Sequence, residues 1–80
     1  MYNTADNMED LDIVEELLSY DTVLDVETHT QIFDAEYQNC DYLIHVRDFS
    51  ECEQIKALLE PFGYIAYVVD DDGGVFEIRD

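Results

Sequence analysis

The chain has very few basic residues. It contains 3 Lys and Arg against 21 Asp and Glu in 80 residues, and its formal net charge is −18 at pH 7. Proteins that bind nucleic acid directly do so with Lys and Arg placed against phosphates, and anionic membrane surfaces repel a chain of this charge. Direct nucleic-acid and membrane binding are therefore excluded. We expect a strongly basic partner instead.

Tryptophan is absent, and the chain has three Gly, one Pro and two Cys. No apolar run approaches the roughly 20 residues that span a bilayer. Residues 1–6 have neither the basic nor the apolar region of a secretory signal, and we expect them to be flexible. These features predict a cytoplasmic protein. In that reducing compartment Cys40 and Cys52 are predicted to be free thiols.

Apolar residues are nevertheless plentiful, because 48% of the chain is hydrophobic. High net charge with low hydrophobicity is typical of disorder, but the Tyr, Phe, Ile, Leu and Val residues here supply the missing hydrophobicity. The length suits a single small domain. We therefore predict one folded acidic domain over residues 1–80, either monomeric or dimeric.

The first half of the chain contains one helical pattern and two strand patterns. Residues 7–20 predict an amphipathic helix with an acidic outer face, because apolar residues recur at helical spacing at Leu11, Val14, Leu17 and Leu18. Residues 21–30 are ambiguous. Residues 31–37 alternate and predict a half-buried strand, and a turn at 38–40 leads to a second strand from Tyr42 to about Asp48.

The second half repeats this order. Ser50 and Glu53 have the spacing of a capping box, and a helix follows that Pro61 and Gly63 stop. Strands are predicted at 64–69 and 75–79, joined by a tight turn at Asp70–Gly74. The order α-β-β-α-β-β predicts an α+β two-layer sandwich, a four-stranded antiparallel sheet with both helices on one face.

Catalytic and metal-binding patterns are weak. His29 and His45 have no partner at metal-ligand spacing, and Cys and His residues lack the surroundings of a nucleophilic site. The three consecutive Asp residues at 70–72 do not have the alternating spacing of a calcium loop. We predict a protein that is not an enzyme and has neither a cofactor nor a metal site.

The distribution of acid is more informative. Carboxylates at i, i+3 or i+4 on a helix stand about 5–6 Å apart, and alternate strand residues nearly 7 Å apart, which is close to the separation of successive phosphates. An ordinary acidic surface intersperses both signs of charge, whereas this chain almost lacks Lys. The predicted phosphate-mimicking, partner-binding residues are Glu9, Asp12, Glu15, Glu16, Asp34, Glu36, Asp70, Asp71 and Asp72.

In size, charge and α+β build, the whole chain resembles the acidic DNA-mimic proteins of bacteriophages and mobile elements, among them anti-CRISPR and anti-restriction proteins. The resemblance implies a non-catalytic inhibitor in the host cytoplasm. It would occupy the DNA-binding or PAM-reading surface of a defence complex, where Arg and Lys otherwise hold phosphates. Two alternatives stay open: an acidic antitoxin or nuclease inhibitor that covers a basic active site, and a halophilic protein without a charge-specific partner.

Overall fold

The computed structural model describes residues 12–33, 35–37 and 39–79. They form an α+β fold with a four-stranded sheet and two α-helices. The strands are β1 (Val23–Thr28), β2 (Tyr42–Val46), β3 (Ala66–Asp70) and β4 (Val75–Ile78). Residues 12–18 are α-helical and are called α1, and α2 spans Cys52–Leu59. Short 3₁₀ turns lie at His29–Gln31, Ala35–Tyr37 and Glu60–Phe62.

The sheet is mixed, so the prediction of a fully antiparallel sheet is wrong. Its strand order is β1-β2-β3-β4, with antiparallel outer pairs and a parallel central pair, β2 with β3. The connection between β2 and β3 contains α2 and returns the chain to the edge of the sheet where β2 began. Parallel neighbours require such a crossover connection, and a helix is the usual one.

The first strand lies earlier than the sequence predicts. Residues 23–28, which the sequence left ambiguous, form β1 and pair with β2, whereas the predicted strand at 31–37 begins at the last residue of one 3₁₀ turn and contains a second at Ala35–Tyr37. The Gln31 side chain accepts a hydrogen bond from the backbone N–H of Thr28 at 2.9 Å, which closes a turn at the end of β1. Phe33, within the predicted strand at 31–37, is 90% exposed.

The main core lies between the helices and one face of the sheet. Ile44 of β2 is opposite Val26 on one side and Val68 on the other, and all three are buried. The same cluster includes Ile13 and Leu17 from α1 and Ile55 and Leu59 from α2, which confirms that both helices pack on one face. Leu18 was predicted to join this core, but it is 47% exposed because Ile13 and Leu17, one turn apart, form the packing stripe.

A second, smaller core lies on the opposite face. Ile32, Cys40 and Leu43 are buried together, and the ring of Tyr37 packs against Tyr67 with centroids 5.1 Å apart. The connection between β1 and β2 therefore covers part of the sheet that a two-layer sandwich would leave open.

The start of α2 differs from the predicted capping box. The helix begins at Cys52, and its N-cap residue Glu51 makes no side-chain capping bond. The Glu51 carboxylate instead accepts hydrogen bonds from the backbone N–H and the hydroxyl of Thr22, at 3.1 and 3.2 Å. Thr22 is only 6% exposed, so Glu51 satisfies a buried polar group at the entrance to β1.

The β3–β4 connection forms the tight turn that the sequence predicts. Gly73 has a φ of 88°, a value that glycine adopts at little cost. One carboxylate oxygen of Asp70 accepts the backbone N–H of Gly74 at 2.7 Å and that of Asp72 at 3.1 Å. The Asp70 side chain therefore stabilises the turn by hydrogen bonds to its backbone.

Both cysteines are free, as predicted, and both are buried. Burial raises the pKa of the Cys52 thiol to about 11, and the nearby charges of Glu53, Asp48 and Asp70 act in the same direction. Burial likewise raises the pKa of Cys40. Both side chains are therefore neutral thiols at physiological pH.

Replacing Asp70 by alanine will destabilise the protein, because two backbone N–H groups lose their acceptor. The expected loss in free energy of unfolding is about 1–3 kcal/mol, measured by urea titration. Asp71→Ala is the matched control at the exposed tip of the same turn and will change stability by less than about 0.5 kcal/mol. Equal losses in the two variants would show that Asp70 has no special role.

The two native thiols will react slowly with Ellman's reagent in the folded protein and quickly in urea, because they are buried and protonated. A cysteine introduced by Gln54→Cys on the exposed face of α2 is the control and will react at once. Since the folded pKa of Cys52 is raised above its ordinary 9.0, its neutral form contributes stability below pH 9 that is lost as the pH rises toward about 11. Two fast native thiols would contradict this prediction.

Candidate functional site

The outer row of α1 carries three of the predicted site residues. Asp12, Glu15 and Glu16 are all exposed. Ile13 and Leu17, on the opposite side of the helix, pack into the core. Asp12 lies one turn from Glu16 and three residues from Glu15, so neighbouring carboxylates stand about 5–6 Å apart. The predicted site residue Glu9 lies outside the described residues.

The β3–β4 turn divides its three acids between two roles. Asp71 and Asp72 are exposed at the tip, and their carboxylates are open to a partner. Asp70 is half-buried and is engaged by the backbone N–H groups of its own turn. Of the predicted run, Asp71 and Asp72 are therefore the available charges.

Glu36 is exposed, but it lies apart from α1 and the turn. It belongs to the 3₁₀ turn Ala35–Tyr37, whose Tyr37 packs on the sheet face opposite the helices. The predicted strand that would have aligned Glu36 with Asp34 is not formed, and Asp34 lies outside the described residues. The structure therefore does not bring Glu36 together with the other described site residues.

A group of acids near the start of α2 includes three residues that the sequence did not predict as a site, Asp48, Glu51 and Glu53. The charges of Glu53, Asp48 and Asp70 all raise the pKa of the Cys52 thiol, so the three carboxylates lie in the neighbourhood of this residue. The parallel pairing of β2 and β3 explains this arrangement, since the carboxyl ends of both strands reach the same edge of the sheet. We call Asp48, Glu51, Glu53 and Asp70–Asp72 the acidic edge.

The acidic edge continues into the outer row of α1. Burial raises the pKa of Tyr20, and the charges of Glu16 and Glu51 raise it further, so both carboxylates lie near this ring. Glu16 belongs to α1 and Glu51 to the acidic edge. Together they form one acidic surface, which extends from Asp12 to the tip at Asp72.

Asp48 is held in a defined position on this surface. The Ser50 backbone N–H donates to its carboxylate at 2.9 Å. Hydrogen bonds from the Ser50 side chain and backbone, with the nearby Arg47 charge, hold the pKa of Asp48 below its usual value. This carboxylate is therefore negatively charged at neutral pH.

Two of the three Lys and Arg residues lie near the acidic surface: Arg47 is close to Asp48, and Lys56 follows Glu53 by one turn of α2. Arg47 donates to the backbone carbonyl of Asp21 at 2.9 Å, and Arg79 pairs with Glu77 on β4. His45 on β2 contacts Glu27 on β1 at 2.6 Å, on the sheet face away from the helices. Among the described carboxylates other than Glu36, the ion pairs are Glu77 with Arg79 and Glu27 with His45. Neither pair includes a residue of the acidic surface.

The chemistry available to this surface is acceptance of hydrogen bonds and pairing with cations. Within residues 12–33, 35–37 and 39–79, no three His, Cys, Asp or Glu side chains are grouped to hold a metal ion. In the same part of the chain, none of the helices has the length and apolar character needed to cross a membrane. Arrays of carboxylates of this kind complement Lys and Arg side chains.

The comparisons with known proteins add no relative to this description. No family model, curated protein or solved structure matches the chain. Conclusions about function therefore depend on the chain's own charge and geometry.

Proposed function

We propose that this protein is a non-catalytic inhibitor that binds the basic DNA-binding surface of a bacterial defence complex in place of DNA. The PAM-reading surface of a CRISPR–Cas effector is a target of this kind, because Arg and Lys there contact DNA. Binding at the same surface is sufficient for inhibition, and no chemical step is required.

The observation that carries the proposal is the acidic surface from α1 to the β3–β4 turn, on which carboxylates far outnumber the nearby cations Arg47 and Lys56. Asp12, Glu15 and Glu16 are exposed along one helix, and Asp71 and Asp72 are exposed at the tip. The charges around Tyr20 and Cys52 connect these two groups. A row of negative charges on a rigid fold presents to a basic groove what a DNA strand presents to it.

Electrostatics also predict how such a complex forms. Long-range attraction between a protein with a net charge of −18 and a basic surface accelerates association and is screened by salt. The exposed acids determine this rate, and contacts buried in the interface determine how long the complex lasts. The proposal therefore requires fast, salt-sensitive binding in competition with DNA.

We expect the protein to displace a fluorescent duplex from at least one member of a panel of purified RNA-guided effectors and restriction enzymes. The measurement is fluorescence anisotropy. The dissociation constant of the inhibitor for such a target, measured by direct titration without DNA, will rise at least about tenfold between about 0.1 M and about 0.5 M salt, because the Debye length falls over this range. Absence of displacement across the whole panel would contradict the proposal, and inhibition of a nuclease without displacement of DNA would favour an active-site inhibitor.

Charge reversal on the acidic surface will weaken this inhibition by about tenfold or more in Glu15→Lys/Glu16→Lys and in Asp71→Lys/Asp72→Lys. The matched control is Asp25→Lys/Glu36→Lys, which makes the same change in net charge on the side of the sheet away from the helices. Circular dichroism will verify that all three variants fold. An equal effect of all three would show that total charge, and not this surface, determines binding.

The salt dependence of folding distinguishes the proposed inhibitor from a halophilic protein. A halophilic protein requires molar salt to fold, whereas an inhibitor of this kind must be folded where electrostatic binding is strong. We expect cooperative thermal unfolding in dilute buffer, measured by circular dichroism. A chain that folds only at molar salt would favour the halophilic alternative.

A further inference from the structure

An apolar groove lies beside the acidic row of α1. Its volume is about 330 Å³, and it is lined by Ile13, Leu58 and Phe62 together with Asp12 and Glu16. Ile13 is buried, Leu58 is half-buried and Phe62 is 49% exposed, so an apolar surface remains accessible on a chain of high charge. The two carboxylates lie one helical turn apart along one side of the groove.

The turn that ends α2 holds one wall of this groove in place. Pro61 lies in the first turn of the 3₁₀ segment Glu60–Phe62, and Gly63 ends it with a φ of 73°. The ring of Phe62 stacks on Tyr64 with centroids 5.8 Å apart, and Tyr64 meets Tyr42 edge-on at 5.2 Å. These contacts fix the Phe62 ring before any partner arrives.

The charges beside the groove determine which partner fits it. A second copy of this chain would bring another net charge of −18 against Asp12 and Glu16, which is strongly unfavourable. A cationic segment would gain from the same charges. Amphipathic helices bind apolar grooves through side chains spaced at i, i+3 and i+4, and flanking Lys and Arg can reach carboxylates on the rim.

We propose that this groove is the docking site for a cationic amphipathic helix of the partner protein. An apolar side chain of that helix contacts Leu58 and Phe62, and its Lys or Arg side chains pair with Asp12 and Glu16. The inference rests on the proposed function and adds the class of segment that is recognised. Interface residues contribute most to affinity where they fill a well-packed pocket from which the surrounding contacts exclude water.

A defined peptide pair tests the groove. The first probe is a labelled helical peptide of Leu and Lys with Leu at every third or fourth position, and the second has the same number of Lys with Gln in place of Leu. Fluorescence anisotropy with the full-length protein will show at least about tenfold tighter binding of the Leu peptide, the gain expected from one well-seated apolar contact. Equal affinities would overturn the proposal.

Substitutions at Phe62 test whether the tighter binding of the Leu peptide depends on the groove. Phe62→Gln will remove most of the preference and leave binding of the Gln peptide unchanged, whereas Phe62→Leu will keep it. Because Phe62 is half-exposed, we expect both variants to fold, which thermal melting will check. A preference that survives Phe62→Gln in a folded variant would overturn the proposal.

The rim acids have a matched control in the β3–β4 turn. Asp12→Asn/Glu16→Gln will weaken binding of the Leu peptide several-fold more than Asp71→Asn/Asp72→Asn, although both remove two charges. Equal weakening would overturn the role of the rim. If both peptides bind in a salt-sensitive manner but the Leu peptide binds no more tightly, this inference alone is contradicted. If neither peptide shows salt-sensitive binding, that result also counts against the proposed function.

Discussion

Mutual repulsion among carboxylates is the constraint that the whole structure must meet. With a net charge of −18, every compact arrangement brings like charges together, and burial of apolar surface has to offset that cost. The core between the helices and the sheet provides this burial, with Leu17, Ile44 and Val68 completely enclosed. Because both helices pack on the same sheet face, their outer sides and the sheet edge are left to carry the acids.

Several carboxylates also stabilise the fold directly. Asp41 accepts the backbone N–H of Ile65 at 2.9 Å, Glu51 accepts that of Thr22, and Asp70 accepts that of Gly74. The first two contacts join segments far apart in the sequence. In all three, the donor is the backbone N–H of the residue directly before a strand. The number of acids in the chain therefore overstates the number available to a partner. The exposed acids include Asp12, Glu15 and Glu16 on α1 and Asp71 and Asp72 at the tip of the β3–β4 turn.

Local signals predicted the parts of the fold that depend on local interactions. Local sequence was sufficient to predict the alternation of β2, the end of α2 before Pro61 and the β3–β4 turn. The position of β1 was not, because residues 23–28 and 31–37 both offer short extended patterns, and pairing with β2 decides between them. The parallel pairing of β2 and β3 is equally non-local. The acidic edge follows from it, so the sequence predicted the acids of α1 and the turn as a binding surface but did not predict that Asp48, Glu51 and Glu53 lie near the turn.

Charge and shape have different consequences for recognition on this surface. An acidic surface attracts every basic protein, so by itself it gives rapid association with little discrimination. An apolar groove beside it adds a contact that depends on shape and on the position of one side chain. The turn after α2 creates that groove, because Pro61 and Gly63 end the helix where Phe62 can stack on Tyr64 beside α1. Under the proposed function, selectivity therefore depends on the apolar residues of this groove, whereas the surrounding charge sets the rate of association.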